Sequence, residues 1–202
     1  MTGDDMRGGG YLDNKRRYLS SQRVYLAPLD YKHISRYIQL SDDPELILTM
    51  GWRPFGVEEK ERFLQTIQVL TLPYCGNGQP ITFSIISTEE DKPIGYVCLT
   101  GINESNSSAE LGIAIMEKGY RGQGYGTEAL RLAVRYAFDK LGLALIGLTV
   151  FPFNHRAIKA YEKVGFGRRE VLKKSWLLDS GEYVDMLVME LTRDQWTRHR
   201  GK

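Results

Sequence analysis

The sequence predicts an α/β (α+β) fold: a single mixed, mostly antiparallel sheet of about seven strands, flanked by helices. Three apolar, strand-like runs are separated only by short polar turns, as in antiparallel hairpins: residues 81–87, 94–102 and 109–115. A helix, a strand and a second helix follow. Two last strands, near residues 171–178 and 183–191, flank the turn Asp179-Ser180-Gly181. This order suits one sheet with helices on both of its faces.

The N-terminal part supplies one strand and three helices. Apolar residues alternate as in a first strand at Val24, Leu26 and Leu29. Asp30 can cap a helix that runs through Leu40, and Pro44 suits the first turn of a second, short helix. A third helix is expected over residues 57–70, with an apolar side formed by Phe63, Leu64, Ile67 and Leu70.

The most informative segment joins a strand to a helix through a glycine-rich turn. The strand-like run ends at Ile115, and the helix begins shortly after the glycines. Such a turn presents several free backbone N–H groups to an anion. Gly122, Gly124 and Gly126 allow close approach of the main chain, and Arg121 adds a fixed positive charge. The predicted ligand is a phosphate or a pyrophosphate.

Two nucleotide-binding motifs compete for this turn. A P-loop needs Lys and then Ser or Thr after its last glycine, but Tyr125 and Gly126 stand there instead. The dinucleotide fingerprint fits residues 124–129 better, but it requires an acidic residue at the end of the next strand. That strand ends in Phe151-Pro152-Phe153, without a carboxylate. A nucleotide-dependent oxidoreductase is therefore disfavoured.

A third interpretation rests on the spacing in residues 121–126: Arg, two residues, Gly, one residue, Gly. The sequence here resembles the GNAT superfamily of N-acetyltransferases, which hold the pyrophosphate of coenzyme A on this loop. A second landmark is a helix led by Asn154, a good N-cap, which carries a Tyr and closes in Gly165-Phe166. The resemblance covers residues 23–191. Within the superfamily, residues 40–46 and 178–183 most resemble the branch of ribosomal-protein-alanine and spermidine acetyltransferases.

The resemblance implies a GNAT-like acyl-CoA N-acyltransferase fold, with acetyl-CoA as acetyl donor and no metal. The main chain of Ile113, Ala114 and Ile115 would contact the acetyl and pantetheine groups. The other cofactor-binding residues it implies belong to the loop and to the second landmark: Arg121, Gly122, Gln123, Gly124, Tyr125, Gly126, Thr127, Asn154, Ala157 and Tyr161.

Two side chains are candidate catalytic groups. A Lys-like amine has a pKa of about 10, so a base or a water chain must remove its proton before attack. The resemblance makes Tyr161 the candidate acid for the leaving thiolate, although its apolar helix stripe also suits a core residue. Glu110 is the candidate base, directly or through water, with a surface carboxylate as the alternative. Three acidic residues either attract a cationic substrate or are helix-start charges: Asp42, Asp43 and Glu45.

The function implied is an acetyl-CoA-dependent N-acetyltransferase, in which a primary amine attacks directly in a ternary complex. A non-catalytic coenzyme A-binding regulatory module is the alternative, and the presence of Tyr161 speaks for the enzyme. The acceptor stays open among a protein N-terminus, a polyamine and a small amine such as an amino sugar. A homodimer also stays open.

Composition sets further expectations. The 202 residues suffice for one domain, expected at residues 21–202 after a flexible arm at residues 1–20. The net charge of +2 argues neither for nor against nucleic acid, which is not expected as a partner. Cys75 and Cys98 form no C-x-x-C pair, so neither a metal site nor a disulfide framework is expected.

The sequence has no long apolar run and no signal peptide, which favours a cytoplasmic enzyme without a membrane partner. Basic residues 198–202 are expected to be a solvated tail.

Overall fold

The computed structural model describes residues 19–51, 79–103, 105–178 and 180–200. In chain order the described elements are β1 (Val24–Pro28), α1 (Tyr31–Leu40), α2 (Pro44–Met50), β2 (Ile81–Ser87), β3 (Lys92–Asn103), β4 (Ser108–Ile115), α3 (Tyr125–Asp139), β5 (Leu145–Val150), α4 (His155–Val164), β6 (Gly167–Leu177), β7 (Tyr183–Thr192) and α5 (Arg193–Arg200). One 3₁₀ turn, Lys118–Tyr120, precedes the glycine-rich turn. The helix expected over residues 57–70 and most of the expected arm lie outside the described residues.

All of these strands belong to one sheet, in the order β1-β2-β3-β4-β5-β7-β6. Neighbouring strands are antiparallel except for β4 and β5, which are parallel. Parallel strands need a long crossover connection, and α3 provides it. The prediction of a single mixed, mostly antiparallel sheet is confirmed.

Two hydrophobic clusters lie on opposite faces of the sheet. The larger packs α3, α4 and α5 against one face and includes Ile146 and Met189, both fully buried. The smaller lies under α1 and α2 and joins Tyr37, Leu46 and Ala114. Alternation along β4 therefore sends Ala114 to one cluster and its neighbours to the other. Helices on both faces are confirmed.

Short polar side chains and glycines set the helix ends that the sequence predicts. Asp30 accepts a hydrogen bond from the Lys32 backbone N–H at 2.7 Å and caps α1. Asp43 caps α2 by accepting from the N–H of Glu45 at 2.9 Å. Gly165 ends α4 with a φ of 111°, a left-handed conformation that glycine adopts without strain.

Both expected tails differ from the structure where it describes them. At the C-terminus, α5 replaces the first part of the expected basic tail, because Trp196 is buried in the larger cluster. The Arg193 guanidinium donates to the Leu143 carbonyl and fastens the start of α5. At the N-terminus, Leu19 is already buried, so the end of the expected arm is part of the fold.

No helix in the described ranges is long and apolar enough to cross a membrane.

The closest backbone approach at any described glycine is between β3 and β4, at Gly95. A Cβ there would lie 2.1 Å from the Ala114 carbonyl oxygen, in the middle of the sheet. Gly95→Ala should therefore force these strands apart and lower the free energy of unfolding by about 2–3 kcal/mol. Gly147→Ala is the matched control, because a Cβ at Gly147 meets nothing within 4 Å. Denaturant unfolding measures both, and equal stability of the two variants would contradict this packing.

Candidate active site

The central feature of the site is that β4 and β5 stop pairing partway along their length. Their ladder consists of three rungs and ends with Glu110 opposite Gly147. Beyond this point β4 continues to Ile115 and stays paired with β3, while β5 continues to Val150 and stays paired with β7. The two strands therefore diverge, and the edge of β4 from Leu111 onward faces a gap instead of a neighbouring strand.

A cavity of about 420 Å³ occupies this gap. Its walls come from both diverging strands, from the glycine-rich turn and from the first turns of α4. This volume lies within the range of small-molecule and cofactor sites. Eleven of the predicted site residues border the cavity: Ile113, Ala114, Ile115, Arg121, Gly122, Gly124, Gly126, Thr127, Asn154, Ala157 and Tyr161.

Three predicted site residues do not border the cavity. Tyr125 is buried beside the turn, with its ring edge-on to Tyr120 at 5.0 Å. Gln123 points outward and donates to the Gly119 carbonyl. Glu110 is exposed at the last rung of the β4–β5 ladder. Glu110 could therefore act as the base only through a chain of water molecules, and this role stays a prediction.

The glycine-rich turn ends in the N-terminus of α3. Gly122 and Gly124 have φ angles of 74° and 91°, a conformation that glycine adopts without strain. Gly124 is the N-cap of α3 and makes no side-chain cap, so the first N–H groups of the helix have no partner within it. These groups and the helix dipole favour an anion at this end of the cavity.

The side chain of Arg121, expected to bind a phosphate, forms its contacts within the protein. It is only 4% exposed and forms ion pairs with Asp43 at 3.1 Å and Glu45 at 3.0 Å. It also donates to the carbonyls of Ile115 at 2.8 Å and Met116 at 2.6 Å. The guanidinium therefore braces the end of β4 against the start of α2, and its charge is already compensated by two carboxylates.

Asp43 and Glu45, at the start of α2, are helix-start and ion-pair groups. Burial alone would raise the pKa of Asp43, but the hydrogen bonds from Arg121 and from the N–H groups of Leu46 and Glu45, with the charge of Arg121, together outweigh burial and hold this pKa below its usual range. Glu45 behaves in the same way, with hydrogen bonds from Arg121 and Arg156 opposing the effect of burial on its pKa. The alternative, that Asp43 and Glu45 attract a cationic substrate, is disfavoured because each already has an arginine partner.

Along its length, α4 adds a basic stripe that the sequence analysis missed. Asn154 caps this helix by accepting from the Ala157 N–H at 3.1 Å. Three cationic residues then follow at i, i+3 and i+7, and all border the cavity: Arg156, Lys159 and Lys163. This spacing places them on one side of the helix and could have been recognised in the sequence. Lys159 and Lys163 add positive potential to a cavity that already favours anions, while Arg156 is paired with Glu45.

Tyr161 is both a core residue and part of the cavity wall. Its ring is 6% exposed, belongs to the larger cluster and packs edge-on against Phe166 at 5.9 Å. Burial, with a smaller contribution from Cys98, raises the pKa of Tyr161 to about 12. Its hydroxyl therefore stays protonated at neutral pH.

An aromatic and apolar group forms another part of the wall and was also missed. Phe151 lies edge-on to Trp176, with 6.0 Å between the ring centroids, and both border the cavity. Met50 and Met186 line it as well. These residues come from α2, the end of β5, β6 and β7, so only long-range strand pairing brings them together.

Among the described residues, no group of three or more His, Cys, Asp or Glu could hold a metal ion.

The contacts of Arg121 lead to a prediction about stability. Arg121→Ala would leave the partly buried Asp43 carboxylate without its arginine partner and remove the donor to the Ile115 and Met116 carbonyls, so the free energy of unfolding should fall by about 2 kcal/mol or more. Arg168→Ala is the control, because its ion pair with Glu162 is exposed and should contribute little. Denaturant unfolding checks this. Unchanged stability together with a salt-dependent loss of ligand affinity would return Arg121 to its expected phosphate-binding role.

Similarity to known proteins agrees with the geometry. The chain is 28% identical over 179 residues to the uncharacterized N-acetyltransferase p20 of Bacillus licheniformis, covering 88% of this chain and 97% of the relative. It is 32% identical to an FsC-acetyl coenzyme A-N(2)-transacetylase of Aspergillus fumigatus, covering 89% and 78%. Spermidine N(1)-acetyltransferase of Escherichia coli is 33% identical, but only over 50% of this chain and 54% of that protein.

Solved structures share the fold. The spermidine N-acetyltransferase of Vibrio cholerae, in complex with CoA and spermine, superposes with a TM-score of 0.73 at 23% identity, covering 86% of this chain and 98% of that one. An acetyltransferase from T. thermophilus gives a TM-score of 0.71 at 22% identity, covering 91% and 93%. The sequence model of the acetyltransferase (GNAT) domain matches residues 23–167, so the chain belongs to the GNAT family and is an N-acetyltransferase.

Proposed function

We propose that the protein transfers an acetyl group from acetyl-CoA to a primary amine, which attacks directly in a ternary complex. The observation that carries this proposal is the gap between β4 and β5, with the N-terminus of α3 at one end and Tyr161 on its wall. Acetyl-CoA would supply the acetyl group as a thioester. Binding of the donor and protonation of the leaving thiolate would be the work of groups of the chain, and water would carry the amine proton.

The anionic part of the donor fits the basic end of the cavity. The unpaired N–H groups of residues 124–127 would bind the pyrophosphate, because the start of α3 offers several donors to one anion. Lys159 and Lys163 add charge along the neighbouring wall. Arg121 would position the turn and contribute no charge of its own, since its guanidinium is held by Asp43 and Glu45.

The pantetheine and acetyl groups fit the edge of β4. Because β5 has moved away, main-chain groups of residues 111–115 face the cavity and can hydrogen bond to an extended ligand as a strand would. Backbone N–H groups here can also stabilise the charge that develops on the carbonyl oxygen during attack. Tyr161 would protonate the leaving thiolate. The amine proton would leave through water, with Glu110 as the candidate final acceptor.

The acceptor remains a protein N-terminus, a polyamine or a small amine. Relatives named spermidine acetyltransferases support a polyamine. Against this, the charged side chains lining the described part of the cavity are all cationic: Arg121, Arg156, Lys159 and Lys163. The aromatic wall formed by Phe151 and Trp176 suits an amine with an apolar body.

Calorimetry with acetyl-CoA and with NAD, followed by a thiol-release assay over a panel of amine acceptors, tests the proposed function. We expect acetyl-CoA to bind without added metal and at least one amine to release thiol. Binding of NAD but not acetyl-CoA would overturn the proposal. Binding of acetyl-CoA without thiol release from any amine would favour the non-catalytic coenzyme A-binding module.

Gly126 offers the cleanest test of the turn. A Cβ there would have only ordinary contact with Ile115, at 3.5 Å, so the fold should accept a side chain that extends into the cavity. Gly126→Leu should abolish acetyl-CoA binding and leave the melting temperature nearly unchanged. Gly119→Leu is the matched control, because Gly119 is exposed, outside the cavity and free of nearby atoms. Calorimetry decides, and normal affinity in Gly126→Leu would move the pyrophosphate site elsewhere.

Loss of the Tyr161 hydroxyl should affect turnover and not binding. Tyr161→Phe keeps the packed ring and removes the proton donor, so kcat should fall by roughly 10²-fold while acetyl-CoA affinity changes little. Tyr37→Phe is the control: this buried hydroxyl has a similarly raised pKa of about 12 but donates to the Gly95 carbonyl, outside the cavity. Steady-state kinetics would contradict the assignment if Tyr161→Phe were fully active across the pH range.

A further inference from the structure

Arg23 reaches from the residue before β1 to the turn that follows β4. Its Nη1 donates to the Gln123 carbonyl at 2.7 Å, and its Nε donates to Glu128 at 2.6 Å. The guanidinium also lies over the ring of Tyr125, with its central carbon 5.0 Å from the ring centroid. One side chain thus holds three neighbouring groups of the turn and of the first turn of α3.

The hydrogen bond to Gln123 fixes the orientation of a peptide group in the turn. The structure contains no cis peptide bond in its described part, so the Gln123 C=O and the Gly124 N–H point in opposite directions. While Arg23 holds the carbonyl, the Gly124 N–H must point away from Arg23. Gly124 also borders the cavity, and a Cβ on it would lie 2.8 Å from Arg23 Nη2. The guanidinium therefore lies against the turn at Gln123 and Gly124.

The same contacts prevent Glu128 from opposing an anion. Its carboxylate stands in the first turn of α3, beside the end of the helix that attracts phosphate. Burial alone would raise the pKa of Glu128, but hydrogen bonds from Ser21 and Arg23 outweigh it and hold the pKa below its usual range. Glu128 is therefore charged at neutral pH, and Arg23 compensates that charge. With its Nε and Nη1 donors engaged in this way, the guanidinium joins Glu128 to the turn.

We infer that Arg23 is a positioning residue for the acetyl donor: it holds the Gln123–Gly124 peptide so that the Gly124 N–H faces the pyrophosphate. This inference rests on the proposed function. It concerns the donor, because the contacts of Arg23 are with the turn and the start of α3, and Arg23 itself does not line the cavity. A change at Arg23 should therefore alter acetyl-CoA binding while leaving the chemical step intact.

The primary test is Arg23→Ala against Arg168→Ala, which removes an exposed arginine from a similar Arg–Glu pair. For Arg23→Ala we expect the Kd and KM for acetyl-CoA to rise roughly 10-fold, as for a lost hydrogen bond from a charged donor. The kcat at saturating acetyl-CoA and the KM for the amine should stay within about two-fold, as a donor-specific role requires. Arg168→Ala should change none of them. An unchanged KM for acetyl-CoA in Arg23→Ala would overturn the inference.

Two further variants separate the peptide orientation from charge and from stability. Arg23→Ala/Glu128→Gln removes the carboxylate that would otherwise repel phosphate, and we expect the affinity to stay low. Recovery of wild-type affinity in this double variant would overturn the orientation role. Arg23→Lys keeps a charge beside Glu128 but cannot bond both acceptors with a forked group, so it should remain folded and still bind weakly. Wild-type affinity in Arg23→Lys would also count against the role.

The wild-type protein separates this inference from the proposed function. If the wild type does not bind acetyl-CoA in calorimetry, the proposed function fails. If it binds and folded Arg23 variants bind equally well, only the inference about Arg23 fails.

Discussion

The divergence of β4 and β5 after the Glu110–Gly147 rung is the constraint on which the rest of the site depends. A sheet normally satisfies every main-chain group of its central strands, so this interruption leaves an edge inside the protein. β4 keeps its shape because β3 pairs with it as far as Ile115, and β5 because β7 pairs with it as far as Val150. The gap is therefore rigid on both sides, which a ligand-binding edge requires.

Two arginines hold the turn at the end of this gap from opposite sides. Arg121 ties the last carbonyls of β4 to the start of α2, and Arg23 ties the turn to β1 and to Glu128. Each guanidinium is compensated by carboxylates of the chain. The positive potential that remains for a ligand comes from the start of α3 and from Lys159 and Lys163 of α4. Structural and ligand-binding charges are thus divided among different residues.

Local signals in the sequence were sufficient for most of the fold. Asp30, Asp43 and Gly165 mark helix ends through interactions with near neighbours, and the structure confirms them. The partners of Arg121 and Arg23 could not be predicted, because they lie far away in sequence and meet only once the sheet has formed. For the same reason Trp176 was missed in the cavity wall, as was the burial of Trp196 that turns an expected tail into a helix.

The central claim is that the gap between β4 and β5 is the acetyl-donor site, and amide hydrogen exchange tests it most directly. If the claim holds, acetyl-CoA slows exchange in peptides that cover residues 111–115 and 122–127, because the ligand bonds to main-chain N–H groups there. Peptides from β1 and β2, which lie at the far edge of the sheet, should exchange at unchanged rates. Protection confined to other segments, or no protection at saturating acetyl-CoA, would contradict the claim.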